Sequence, residues 1–214
     1  IQVQDMVGCH IINMSDIEST LNDGCVPVVI DPDGQVIEEH SPLIVIDARM
    51  LKRATKDTDR SQASLVIALG PGFVAGANCH AVIETKRGHY LGRVILDGQA
   101  AADTGVPGSI DGMRHQRVLY APVGGFLHSE FHIGDKVSRG QPVGYVGKQP
   151  VSATLDGVLR GLVHSSVSIK QGQKIGDIDP RGVREYCFTI SDKALAIGGG
   201  VLEAIFSSTD LRTL

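Results

Sequence analysis

Residues 121–148, moved along the chain by 32 positions, lie on residues 153–180 without a gap. Gly125/Gly157, Leu127/Leu159, His132/His164, Gly140/Gly172, Gln141/Gln173 and Gly144/Gly176 are identical, and Val137/Ile169, Val143/Ile175 and Val146/Ile178 stay apolar in the same register. A match of this kind means two copies of one short β unit. A single copy cannot bury its apolar face, so the two are expected to pack on each other about a pseudo-twofold axis.

The rest of the chain reads as ordinary globular sequence, with 42% hydrophobic residues among 214 to supply a core. A net charge of -4 and an aromatic content of 4% with no Trp argue against a nucleic-acid partner. No apolar run approaches a membrane span and no secretion signal is visible, so neither a membrane nor export is expected. Cys9, Cys25, Cys79 and Cys187 are too sparse for a disulfide framework and read as small buried hydrophobes, which places the chain in the reducing cytoplasm. Ile1 stands where an initiator Met is expected, so the chain is read as starting inside a longer protein.

Before the repeat the pattern is α/β. Ser15 and Glu18 have the spacing of a capping box opening a helix. The runs 26–31, 43–47 and 65–70 are continuous and apolar, as strands of a covered parallel sheet are. They end in Asp31, Asp47 and the loop Gly70-Pro71-Gly72-Phe73-Val74-Ala75-Gly76. If the three strands are neighbours, these share the rim where open α/β sheets bind ligands. The alternative for Asp31 is a turn at Asp31-Pro32-Asp33-Gly34, and for the glycine loop a tight packing turn rather than an anion-binding nest. Residues 81–84 and 91–95 form an expected hairpin, whose tip gathers Glu84, Arg87, His89 and Arg93. Such a set suits proton transfer or the holding of an oxyanion, and equally a solvated turn. Residues 97–114 read as a loop.

After the repeat, Cys187 sits near Arg184, Asp192 and Lys193 and just before a helix capped by Ser191. That setting lowers a thiol pKa, unless the stretch is a strand that turns Cys187 inward. Gly198, Gly199 and Gly200 inside the helix each cost about 1 kcal/mol relative to Ala, so a backbone or ligand is expected close by.

The repeated unit resembles the biotinyl/lipoyl-like barrel-sandwich hybrid. In that family a protruding hairpin carries the modified lysine, whereas Lys148 here lies in a shorter connection, Gly147-Lys148-Gln149-Pro150, and no carrier role is expected. His132 and His164 are read as equivalent turn positions, and no metal site is assigned. The fold class expected is α/β plus β: a partial Rossmann-like portion, a duplicated lipoyl-like barrel-sandwich hybrid, and a C-terminal helix. The domains are read as 1–114, 115–182 and 183–214, with the last packing back on the first.

Residues 69–76, 81–89, 91–94, Thr104-Gly105-Val106-Pro107-Gly108 and 184–204 together resemble the YqeB family, accessory proteins of the selenium-dependent molybdenum hydroxylase system. Ala102-Asp103 departs from the Pro-Asn usual there. The resemblance implies a maturation role in which a molybdenum cofactor or a selenium or molybdenum oxyanion is handled. It also implies nucleotide use by an N-terminal part absent here, and a hydroxylase and other maturation factors as partners; a homo-oligomer is left open. The residues assigned are Arg87, His89, Glu84 and Cys187 for chemistry, and Asp47, Gly70, Gly72, Gly76, Arg93, Thr104, Asp192, Gly198 and Gly199 for binding. A scaffold that docks on the hydroxylase is the alternative.

Overall fold

The run Leu65–Leu69 is apolar at every position because both of its faces are covered. In the computed structural model, which describes residues 2–53 and 55–208, Leu65, Ile67 and Leu69 pack with Ile197 and Ala204, while Val66 and Ala68 pack on the opposite face with Phe73, Ala75, Cys79 and Ala100. The chain separates into two compact units, one made of residues up to Thr104 together with those from Ile190, the other of Gly105–Thr189.

The first unit contains β1 (Gln2–Val3), β2 (Met6–His10), α1 (Ile17–Asn22), β3 (Val26–Val28), α2 (Gln35–His40), β4 (Ile44–Asp47), β5 (Leu65–Leu69), β6 (Ala81–Ile83) and β7 (Val94–Ile95). It also contains α3 (Asp192–Ser207), the one long helix among the described residues. β4, β5 and β6 are parallel neighbours, and β7 returns antiparallel to β6 as the hairpin pattern requires. β3 is not part of this sheet. It pairs with β2 in a separate three-stranded sheet, β1-β2-β3.

In the second unit, β8 (Val118–Tyr120), β9 (Leu127–His128), β10 (Lys136–Val137), β11 (Pro142–Val146), β12 (Gln149–Ser152), β13 (Gly157–Leu162) and β14 (Lys174–Asp179) form two sheets, ordered β10-β13-β14-β8 and β12-β11-β9. Pairings recur with the 32-residue shift: Leu127 with Val146 and Leu159 with Ile178, Val137 with Gly157 and Ile169 with Gly125. The buried cluster recurs with it. Leu119/Val151, Ala121/Ala153, Leu127/Leu159, Val137/Ile169, Val143/Ile175 and Val146/Ile178 make up its buried members. Gly147 and Lys148 form the tip between β11 and β12, closed at once by the Val146–Gln149 pair.

The expected fold class is corrected. The chain is not a Rossmann-like portion joined to a lipoyl-like barrel-sandwich hybrid; the described residues form four small sheets of three or four strands with one long helix. Two physical causes account for the first half. α1 and α2 have six residues each, too short to layer a doubly wound sheet, and the inner face of β5 and β6 opposite α3 is covered by the 70–79 loop and Ala100 instead of a crossover helix. In the second half the Ile169 arm pairs only through an isolated bridge, so the two copies do not build matching sheets. Two smaller expectations also fail. The capping box at Ser15 does not form, since a short 3-10 turn at Met14–Asp16 leads into α1 with no side-chain cap, and Arg184–Cys187 is a 3-10 turn rather than a strand. Ile1 lies outside the described residues.

α3 is held by a close crossing of backbones. A Cβ on Gly200 would collide with the carbonyl of Gly92 and lie 3.0 Å from Ile83, and a Cβ on Gly92, whose φ is +81°, would collide with the carbonyl of Ala196. Gly198 and Gly199 face open space. Of the three helical glycines, Gly200 alone answers the packing argument. We expect Gly200→Ala to cost about 2–3 kcal/mol through overpacking, while Gly198→Ala and Gly199→Ala each stabilise by up to about 1 kcal/mol, measured by equilibrium denaturation in urea.

Candidate functional site

The parallel register of β4, β5 and β6 sets Asp47, Gly70 and Glu84 at one end of the sheet, the end where their strands finish. Asp31 is elsewhere. Its carboxylate accepts from the backbone N–H of Gln35 and Val36, both at 2.9 Å, and so opens α2; these bonds hold its pKa below the usual carboxylate range.

Asp47 is buried and fully engaged. Arg49 forks onto it, Nε at 3.1 Å and Nη2 at 2.7 Å, the Arg49 backbone N–H donates at 3.0 Å, and the Thr58 hydroxyl donates at 2.6 Å. Arg49 also reaches Asp57 at 3.1 Å. Burial pushes the Asp47 pKa up, but the hydrogen bonds from Arg49 and Thr58 and the Arg49 charge together hold it below the ordinary value.

The glycine loop is packed. Gly70, with φ +86°, leaves 3.0 Å between a built Cβ and the Thr85 hydroxyl, and a Cβ on Gly72 would lie 2.8 Å from the carbonyls of both Leu51 and Arg53. The N–H groups of Gly70, Val74, Ala75 and Gly76 donate to Ile83, Asn78, Gly98 and Cys79. Those amides are committed to holding the turn, and Phe73 at its centre is fully buried.

Glu84 is also buried. Its two oxygens accept from the backbone N–H of Lys86 at 2.7 Å and of Ala101 at 2.8 Å, which ties the 97–104 loop to the end of β6. Lys52 pairs with Asp103 at 3.0 Å in the same loop, and Thr104 is its exposed last residue. Arg87 pairs with Asp192 at 2.5 and 2.9 Å, which brings the hairpin tip against the first turn of α3. Ser191 caps that turn by accepting from the Ala194 N–H. His89 and Arg93 instead pack on the exposed Tyr90, the imidazole edge-on and the guanidinium 4.5 Å above the ring.

Lys193, the residue after Asp192, was not among the assigned residues. It is half-buried, and among the described residues no carboxylate lies within ion-pairing distance of its ammonium. Burial, and then the charge of Arg87, lower its pKa, against a smaller opposing pull from Glu84. A lysine in the first turn of a helix opposes the helix dipole, and that was the signal available in the sequence.

Cys187 belongs to the other unit. Its sulfur lies 3.8 Å from the Leu159 carbonyl, and burial raises its pKa, the opposite of what a nucleophile needs. Cys79 is buried in the first unit, its pKa pushed up to about 11 by burial. Cys9 and Cys25 are joined as a disulfide, not the separate buried thiols expected from their sparse spacing. Among the described residues no group of His, Cys, Asp and Glu is arranged to hold a metal, and no helix is long and apolar enough to cross a membrane.

These features define a sheet-rich chain of two units, with hydrogen-bonded buried carboxylates at one sheet end and, beside them, a corner that holds Arg87, Asp192 and Lys193. No family model matches it. Over 182 residues it is 47% identical to the "Uncharacterized protein YqeB" of Escherichia coli (strain K12), an alignment that takes in 85% of this chain and 34% of that protein. The chain thus spans about a third of its relative's length, and the similarity supports the YqeB family that its motifs resemble. Two solved structures overlap small parts of it. The succinylglutamate desuccinylase/aspartoacylase of Rhodobacter sphaeroides matches 29% of this chain and 21% of its own at 14% identity with a TM-score of 0.27. The product-bound ectoine utilization protein EutE (DoeB) of Ruegeria pomeroyi matches 39% and 27% at 19% identity with a TM-score of 0.26.

Because the folded-state pKa of Asp47 is depressed, the stability it contributes is complete above its ordinary value of 3.8 and is lost as pH falls through the lower folded value. Asp47→Asn should cost about 1–2 kcal/mol at neutral pH, with allowance for the half-exposed Arg49. It should also flatten the loss of stability below pH 3.8, as followed by denaturation across an acid series.

Proposed function

We propose that this chain is the ligand-holding part of an accessory protein that matures a selenium-dependent molybdenum hydroxylase in the cytoplasm. Its ligand is an oxyanion: molybdate, a selenium oxyanion, or the phosphate of the molybdenum cofactor. The observation that carries this reading is Lys193, a half-buried ammonium beside the Arg87 guanidinium with no carboxylate in ion-pairing distance among the described residues. Burial and the Arg87 guanidinium, itself paired with Asp192, raise the cost of charging Lys193, and a bound anion would relieve it. The motif resemblance supplies the biological setting.

Binding is favoured over catalysis by the state of the candidate acids and bases. Both oxygens of Glu84 hold backbone N–H groups, and Asp47 is saturated by Arg49 and Thr58. Neither can take a proton from a substrate without breaking the turn it supports.

A second reading, a scaffold that docks on the hydroxylase, draws on the outer face of α3. Leu195, Leu202 and Phe206 are 63%, 54% and 71% exposed there, with the open Gly198 and Gly199 between them.

Calorimetric titration of the protein with molybdate, selenite and inorganic phosphate separates the two. Under the first reading at least one anion binds, and Lys193→Gln and Arg87→Gln each weaken it about tenfold, the loss of one charge-assisted hydrogen bond. Absence of binding by all three, or binding indifferent to both substitutions, would rule the anion site out.

A further inference from the structure

The sheet β1-β2-β3 with α1 is a module with almost no core. Among residues 2–30 only Ile11 and Cys25 are buried, and Met6, Val7, Val26 and Val28 stand exposed on its strands. A parallel pair such as β2 and β3 is ordinarily covered on both faces. Folded segments this thin depend on a staple, and the disulfide between Cys9 in β2 and Cys25 at the mouth of β3 is one. Its sulfurs close a loop of sequence separation 16 that contains all of α1.

We propose that Cys9–Cys25 is a thiol-exchange site whose oxidation state decides whether the β1–β3 module is closed or open, with small thiols and their disulfides as its reactants. Cys9 is partly accessible whereas Cys25 is 8% exposed, so the incoming thiolate attacks Cys9 Sγ. The Cys9–Cys25 bond breaks, and the electron pair leaves on Cys25 Sγ, which takes up a proton. That sulfur lies 3.3 Å from the Val7 carbonyl oxygen, an acceptor already in place for the new S–H. A second thiolate then attacks the small-molecule sulfur of the mixed disulfide and releases Cys9. One protein disulfide and two thiols have become two protein thiols and one small disulfide, and a small disulfide as oxidant reverses the sequence.

Opening the loop removes the constraint on the unfolded module. For a loop of this size that amounts to a shift on the order of a hundredfold in the local opening equilibrium. β4–β7 keep their own buried clusters and are not affected. The module therefore responds to the thiol poise of its surroundings while the sheet that carries the candidate site stays folded.

The test is peptide-resolved hydrogen exchange on the whole chain, oxidised with glutathione disulfide and then reduced with dithiothreitol, alongside alkylation and intact mass. Oxidation should protect two thiols from alkylation. On reduction the amides of β2 and β3 should exchange on the order of a hundredfold faster, with those of Leu65–Leu69 unchanged. Cys9→Ala/Cys25→Ala should exchange fast from the start and ignore reductant. If that variant also loses protection at Leu65–Leu69, the wild-type comparison decides alone. Failure of glutathione disulfide to form the bond, or equal exchange of β2 and β3 in both states, would overturn the proposal.

Discussion

Gly92 and Gly200 let two backbones approach more closely than any other residue pair would allow, and the first unit is organised around that crossing. Once Gly200 lies against the Gly92 carbonyl, the rotation of α3 is set. Ile197 and Ala204 fall on the sheet, where burial of an Ile side chain contributes about 1.5–3 kcal/mol. The same rotation carries the first turn of α3 to the end of β6, so that Asp192 meets Arg87 and Lys193 enters the corner beside Glu84. Packing and candidate chemistry thus share one cause. A glycine in mid-helix lowers helix stability by about 1 kcal/mol, and at position 200 the closer approach offsets that loss.

In the second unit the buried positions were legible because its core repeats, but the barrel-sandwich hybrid expected from them was not what they build. Each buried member of its cluster has a partner at the 32-residue shift, so sequence periodicity and packing carry the same information. The first unit was only half legible. The apolar runs at 26–28, 44–47 and 65–69 are all strands, but a continuous apolar run does not state which strand it neighbours. β3 joined β2, Asp31 became the opening of α2, and the expected single rim lost one of its three members. What covers β5 opposite α3 was illegible as well, since the 70–79 loop does the work of a helix without helical periodicity.

At the site, residue types were easier to read than their states. A strand end pointed to Asp47 and the charged hairpin tip to Glu84, but whether either carboxylate is free depends on Thr58 and on the Ala101 amide, contacts that no local pattern encodes. The glycine loop had two readings, nest or packing turn, and the Leu51 and Arg53 carbonyls pressed against Gly72 favour packing. Lys193 reads in the sequence only as a cation near Cys187, since its partial burial depends on tertiary packing, and the Cys9–Cys25 bond was illegible because two isolated cysteines carry no spacing signal.

The ammonium of Lys193 can be titrated directly by NMR, in the free protein and with molybdate, selenite or inorganic phosphate present. An anion site there requires a pKa below the ordinary lysine value in the free protein, rising with at least one of these anions. A Lys193 that titrates at the ordinary value, or that responds to none of the three anions, would contradict the anion site.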